Sequence, residues 1–588
     1  MPALTQLLGQ LEAMQLLQRL EEMDAAYQFH HSLTRDSAYG SLLRKQRRDL
    51  HRRVAECYEQ LYPTRLEEFA AQLAYHLDEA GEVRAWQYYR LAGDGAFRLY
   101  ASTEAIAHYE RAITLAAAAD GVDPTDLLHL FLRRGRALEL LGQFEAALND
   151  YAALEQTGRT QGRDALVLAG LVEQCQLRAT PNPLFDANQA KGLAEQALAL
   201  AARLDDKAAE ARIYWSLLNV GRFTADRHDQ AREYGDRALA LAREQGLREL
   251  ESYILNDIAD IYMMAGHPRQ AHKLLTEAGV LFRELGNLPM LADNLASASG
   301  FEVFTDHDEA ALALSDEAFA ISLSIGNVWG QSYSRSLIGY VYWDRGEVQR
   351  AIDVTETSIR QALEVGFVAA TTFSGALLGL IYGDLGAVER ARQAMVAGWQ
   401  AADGPMAAFR SALLATEVAL SILEKDLPRA EAALRELESN TQTRNPYMLI
   451  GYVGAPAQLA LAQGRFADAL QHTEGDIALL VALDMDRVLP DILLQRAQAL
   501  VGLGREKEAR PVLLQAIERA ERSQHRRILW QLQASLAKLE ASEGRADEAA
   551  ALMAQARAHI ETISSNISDP DLVASFRSRP EVKAVLQA

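Results

Sequence analysis

Proline is scarce, with 15 in 588 residues, so little interrupts long helices. Cysteine is scarcer: Cys57 and Cys175 stand alone, far apart, with no CxxC. That excludes a disulfide framework and a thiolate metal site, and it fits a reducing compartment. Basic charge is in deficit, 59 Lys and Arg against 80 Asp and Glu, giving −21 and a pI near 5.2. Most of the surface therefore repels nucleic acid and anionic membranes. There is no Gly-Lys dipeptide, hence no phosphate loop, and no HExxH, GxSxG, GxGxxG or EF-hand pattern. We expect no enzyme, no cofactor and no metal. Two uncharged stretches, Val365–Gly383 and Asn445–Gly464, are about long enough to span a membrane. Thr371, Thr372, Ser374 and Gly375 dilute the first, while Pro456, Gln458 and Gln463 interrupt the second, so both read as buried helices. The amino terminus lacks a basic start and has Glu12, Arg19, Glu21 and Glu22 among its apolar residues. It is expected to be no signal peptide, and the chain cytoplasmic.

What is abundant is helix-forming residues and a repeat. Hydrophobic residues make up 49%, ample for a core. In Phe131–Gln156, Phe131, Gly135 and Leu138 share one face of a first helix, and Phe144, Ala147, Tyr151 and Leu154 one face of a second. Gly142 closes the first, since a residue without Cβ takes the left-handed C-cap conformation readily. The equivalent of Ala147 recurs at 105, 190, 231, 271, 311, 351, 391, 430, 469, 509 and 549, at steps of 39 to 43 residues. Glycine recurs five residues earlier at 142, 266, 346, 386, 464, 504 and 544, and a mostly small packing position seven later. The pattern resembles a tetratricopeptide repeat (TPR), through Gly135, Gly142, Phe144, Ala147 and Tyr151. The resemblance implies an all-α, right-handed superhelical solenoid of about twelve TPR-like helix pairs, each repeat touching only its neighbours. We place this solenoid at 81–563, after a helical segment at 1–80 and before a capping helix at 564–588.

Within the first segment, residues 1–28 read as a helical lead-in, Leu42–Tyr62 as one helix, and Leu66–Ala80 as the next. The apolar side of the Leu42–Tyr62 helix is expected at Leu43, Leu50, Val54, Cys57 and Leu61. Phe29, His30, Leu33, Arg35, Asp36, Ala38 and Tyr39, then Leu50 and His51, then His76 and Gly81, resemble a junction in STAND-type signalling ATPases. It is similar to the adenylate-cyclase-linked and LuxR-type regulators, where the junction follows the nucleotide-binding core, overlaps the end of a winged helix and leads into a TPR sensor. With the phosphate loop absent, the resemblance implies a sensor half, possessing neither ATPase, cyclase nor DNA-reading domain.

Candidate sites follow from these readings. The pair His30-His31 points in different directions and reads as structural, and Asp205-Asp206 and Asp308-Glu309 as solvated caps. Arg44, Arg48 and Arg52 share a face at i, i+4 spacing, which suits docking to an acidic partner domain or, less well, phosphates. On the concave face, first-helix positions select Tyr253, Asn256, Asp260 and Met263, then Tyr333, Ser336, Tyr340 and Trp343, then Phe373. Aromatic and Met side chains beside carboxylates and amides suit a peptide or small ligand, and small Ala296 and Gly300 between the two rows would leave a recess. The expected function is a non-enzymatic interaction protein that binds a protein, peptide or small effector and relays it to a signalling partner, such as a separate ATPase or cyclase. A passive scaffold, or a DNA-associated regulator using residues 44–53, are the alternatives; nucleic acid and membrane are otherwise not expected as partners.

Overall fold

The computed structural model describes residues 2–20, 27–119, 121–223, 228–265, 267–403, 409–440 and 453–588. The described chain is almost entirely helical and divides into two compact units, Met1–Ala137 and Leu138–Ala588.

The first unit opens with α1 (Pro2–Ala13) and a two-stranded antiparallel ribbon, β1 (Leu17–Arg19) and β2 (Tyr27–Phe29). Leu17 pairs with Phe29 and Arg19 with Tyr27, so the lead-in is not wholly helical as expected. Tyr27 and Phe29, alternating on one strand, favour a pleat over a helix. Then come α2 (Ser32–Ser41), α3 (Arg44–Leu61), α4 (Ala70–Ala80), α5 (Ala85–Arg98) and α6 (Ser102–Ala117). Helix α3 starts two residues later than expected because Leu42 and Leu43 are extended, and the Leu43 N–H donates to Gln46 Oε1 at 3.0 Å. The expected apolar side of α3 is not its packed side. Leu43 and Leu61 are each 70% exposed, and Leu50, Val54 and Cys57 are exposed too. One residue further round, a turn of about 100°, His51 and Ala55 are buried instead against α4. Ala55 is small enough for Leu73 and Leu77 of α4 to close over it.

The second unit is a solenoid of helix pairs, entered through α7 (Pro124–Leu140), which spans the division. Helix α8 (Phe144–Gln161) is the second of its pair, and the pairs continue as α9 (Asp164–Ala179) with α10 (Ala187–Leu204), α11 (Lys207–Phe223) with α12 (His228–Glu244), and α13 (Arg248–Met264) as the first helix of the next. Next are α14 (Pro268–Leu285), α15 (Leu288–Phe304), α16 (Asp308–Ser324), the broken helix α17 (Val328–Arg335) and α18 (Gly339–Asp344), and α19 (Val348–Glu364). They are followed by α20 (Val368–Asp384), α21 (Val388–Ala401), α22 (Arg410–Leu423) and α23 (Leu427–Asn440). The last are α24 (Ala455–Ala462), α25 (Phe466–Ala482), α26 (Leu489–Gly502), α27 (Glu506–Arg522), α28 (Arg526–Ser542) and α29 (Ala546–Ser565). All twelve residues equivalent to Ala147 are buried, none more than 8% exposed. Gly142, Gly346, Gly386, Gly464, Gly504 and Gly544 have φ between 70° and 82°, the left-handed cap their spacing predicts; Gly266 lies outside the described residues. Asp476 occupies one packing position, where it accepts the Gly454 N–H at 3.0 Å and burial raises its pKa.

The uncharged stretch from Val365 forms buried α20, in which Thr371 and Thr372 hydroxyls donate back to Phe367 and Val368 carbonyls. Of the stretch from Asn445, residues 445–452 lie outside the described residues and the rest forms α24. No described helix is long and apolar enough to cross a membrane. The carboxyl terminus makes two capping helices instead of one, α30 (Pro570–Ser578) and α31 (Pro580–Gln587). Arg579, extended as residues before proline prefer, breaks them apart.

Several repeats of the second unit touch more than their neighbours. A side chain at Gly142 would lie 3.5 Å from the Val365 carbonyl, and one at Gly366 3.4 Å from Pro183. Phe223 packs on Phe409, and Phe409 on Phe373. Arg487, 3% exposed, pairs with Asp344 at 2.7 Å and with Asp308, 179 residues away and about four and a half repeats back. Arg527 donates to Asp344 at 2.6 Å, and Arg579 to the Asp384 carbonyl. Asn566 accepts from the Gln349 N–H, and Arg390 pairs with Asp569 at 2.6 Å. This seam overturns the nearest-neighbour expectation. Its cause is that large aromatic and paired charged side chains, on first helices and turns, reach the next winding of the solenoid. A single hydrophobic core accordingly runs from Val303 to Val585. Asp308, expected as a solvated cap, is buried in the seam between Arg487 and Arg345.

Candidate functional site: a polar wall on four first helices

One polar network crosses α11, α13, α15 and α17. Trp215 Nε1 and Asn219 Nδ2 both donate to Asp257 Oδ2, at 2.7 and 3.1 Å. Arg222 donates to Asp257 Oδ1 at 2.7 Å and pairs with Asp260. Asn256, 2% exposed, donates to Asp293 Oδ2 at 3.0 Å and accepts from Asn294 Nδ2 at 2.9 Å. Ser297 Oγ and the Tyr333 hydroxyl lie 3.1 Å apart.

Three carboxylates face one guanidinium, and the titration of the wall reflects it. Burial opposes the charge on Arg222, but Asp257 and Asp260 outweigh it and hold the guanidinium above its ordinary pKa. Arg222 pairs with Asp257 and Asp260, while among the described residues Asp293 is paired with no cation. Burial, then the nearby Asp257 carboxylate, push it up to about 7, so near neutral pH it is only partly ionised. Burial, Asp293 and Asp260 likewise raise the Tyr333 hydroxyl. The wall therefore has carboxylate in excess and a half-buried Asp293 that accepts further positive charge at little cost.

Of the residues expected from the sequence, the structure brings Asn256, Asp260 and Tyr333 together here. Tyr253 stands at the edge, stacked on Trp215 with centroids 5.3 Å apart and its hydroxyl bonded to Glu249 and Asn287. Met263 is buried beside Asp260, where a void of ≈ 10 Å³ is closed by Phe301 and Phe304. That is room for about one water. Ser336 turns its hydroxyl back to the Tyr333 carbonyl. Tyr340, Trp343 and Phe373 belong to the seam: Trp343 lies 4.3 Å beneath Arg527, Tyr340 packs beside it, and Phe373 packs on Phe409. Around the small residues expected to leave a recess, Ala296 packs in a core cluster with Phe301, against which Tyr333 rests.

Fixed offsets from the small landmark residue miss Arg222 and Asp257, whereas Asp293 stands 18 before Ala311, as Tyr253 stands 18 before Ala271, and was passed over. The signal that marks them is Asn219, Asn256 and Asn294, recurring at close to the repeat period on the same wall. On α3, Arg52 is taken up by Glu82 at 2.8 Å and Asp49 at 3.3 Å. Arg48 lies over the α4 C-cap, 3.5 Å from where a Gly81 side chain would begin, and Arg44 opens the helix. Among the described residues, Asp306, Asp308 and His525 bring ligand-type atoms together, but Arg487 already pairs with both carboxylates. A cavity of ≈ 530 Å³ opens nearby, with Arg345, Arg519 and Arg522 on its lining. Each is already paired, to Asp308 and Glu309, to Asp486 and to Glu518.

The tetratricopeptide repeat family model matches residues 490–523, the pair α26 and α27. No curated protein matches the chain. Among solved structures, the crystal structure of Rap protein complexed with competence and sporulation factor is similar at 14% identity, covering 68% of this chain and all of that one. Its TM-score of 0.44 is too low to bear on function. With the tandem helix pairs, the matched repeat shows an all-α, TPR-like helical-repeat fold.

Proposed function

We propose that the chain is a non-enzymatic sensor or adaptor. Its polar wall binds a peptide or small effector with a cationic group, and its first unit passes occupancy to a signalling partner. The observation that carries this reading is the wall itself: Asp257 and Asp260 pair with one arginine and a third aspartate, Asp293, is bonded to Asn256 beside them, where a solenoid core needs only apolar packing. A cationic group placed beside Asp293 would complete the charge balance, and the stacked Trp215–Tyr253 pair offers an apolar shoulder. The junction motif at Phe29–Tyr39 supports a relay over passive scaffolding, as does the short ribbon before it, which suits the end of a winged helix.

The test is selection of random-sequence peptides on the full chain, followed by titration of retained peptides against Asn256→Ala and Asp260→Asn. Affinity should fall at least tenfold (1.4 kcal/mol) in each variant, with melting temperatures within a few degrees of the parent. Undiminished binding in both variants would move the site off this wall and leave a scaffold. Retardation of DNA that weakens with salt and is lost in Arg44→Ala would favour the regulator reading instead.

A further inference from the structure

Arg222 commits its guanidinium to two of the three aspartates of the wall: Nη1 donates to Asp257 and to Asn219, and Nη2 donates to Asp260. Asp293 is left to the Asn256 amide, which donates to its Oδ2 at 3.0 Å. No described residue donates to its Oδ1. The side chain is half-buried and so still meets solvent. It stands 18 residues before Ala311, as Tyr253 and Tyr333 stand before Ala271 and Ala351. It therefore holds the same position on α15 as the two tyrosines hold on α13 and α17.

The titratable and charged groups that face Asp293 are few. Asp257 and Asp260 come from α13, Arg222 from α11 and Tyr333 from α17. Helices α14 and α16 also pack on α15, and no described residue of either is hydrogen-bonded or ion-paired to Asp293. An ionised Asp293 thus stands beside two other carboxylates and, among the described residues, is paired with no cation. Two species relieve that repulsion, a proton or the positive group of a ligand, and both need the same carboxylate oxygens. Burial, then Asp257, raise Asp293 to about 7, so at neutral pH a proton occupies it in part of the molecules.

We propose that a proton and the ligand's cation are alternative occupants of Asp293, so that a lysine or arginine side chain binds the wall by driving the Asp293 proton into solvent. This rests on the wall being the cation site argued above. The exchange balances: the Asp293 O–H bond breaks, its electron pair stays on the carboxylate, and the proton goes to buffer. The incoming ammonium or guanidinium then pairs with the carboxylate. Lysine and arginine keep their charge through neutral pH, so the ligand itself neither gains nor loses a proton.

The test uses peptides retained on the full chain that carry lysine or arginine, have blocked ends, and lack histidine and carboxylates. Their affinity should rise about tenfold or more from pH 5.5 to 8.5 and level off at the alkaline end, following the ionised fraction of Asp293. Calorimetric titration at pH 7 in buffers of different ionisation enthalpy should report roughly half a proton released per peptide. In Asp293→Asn the affinity should be flat over this range, with no proton released. Should that variant bind too weakly to titrate, proton release by the parent decides alone. A flat affinity with no release in the parent overturns the exchange, as does a rise that persists in Asp293→Asn, since another group is then titrating. In both cases weaker binding to Asp260→Asn still marks the wall as the site, and the earlier reading stands. If no such peptide is retained, or if Asn256→Ala and Asp260→Asn bind as the parent does, that reading falls and the exchange with it.

Discussion

Asp293 is the residue whose behaviour separates this wall from ordinary core. An isolated aspartate ionises near 3.9, whereas Asp293 does so near 7, so between those values the folded chain binds more protons than the unfolded one. A carboxyl raised in the fold thus costs stability as pH rises through that window, and its protonated form is the stabilising one. Asp293→Asn should melt above the parent at pH 8, by an amount on the order of 2 kcal/mol, and at the same temperature near pH 4. Thermal melts at the two values check this; equal curves at pH 8 would mean Asp293 is already neutralised by a partner. Asp344 behaves in the opposite way. Burial would raise it, but Arg527, His525 and Arg487 outweigh burial and hold it far below the usual carboxylate range.

At the scale of the element, the helix pair was legible because its demands are local. A small residue every 40 or so positions, a glycine at the turn and a 3.6-residue apolar stripe each answer to contacts within one pair. Gly221 shows how tight that contact is: a Cβ there would stand 2.4 Å from the Cβ of Ala231. Gly221→Ala should therefore destabilise the chain by about 1–3 kcal/mol, despite alanine's better helix propensity, and denaturant titration measures it. What was not legible depends on distant partners. The packed side of α3 is set by which residues of α4 close over Ala55, and Leu43 and Leu50 advertise the wrong side. The wall was half legible: Asn256, Asp260 and Tyr333 fell on it by spacing. Arg222 did not, because it stands 9 residues before Ala231, where Asn256 and Asp260 stand 15 and 11 before Ala271. Asp293, at the Tyr253 position of the next repeat, was passed over beside the small Ala296 and Gly300.

For the second unit as a whole, the seam is what its sequence conceals most completely, because nothing in a 40-residue period announces a partner 179 residues away. Arg487 holds Asp308 and Asp344 on the preceding winding and is itself wholly enclosed. Arg487→Ala leaves those carboxylates buried without their cation and should cost about 3–5 kcal/mol. Hydrogen exchange should then quicken in both 301–345 and 484–527. A loss confined to one of these would show the two windings to be independent. Neighbour-only repeats can be duplicated or deleted like links in an open chain. The stretch from Asp308 to Arg527 is different, for its ends must meet after a set number of turns of the chain, as teeth must meet in a closed gear train. Gain or loss of one repeat between Asp344 and Arg487 would bring the wrong residues opposite each other along the whole seam. Gene rearrangement can therefore lengthen this array only outside that interval, and within it the repeat number is as fixed as a bond length.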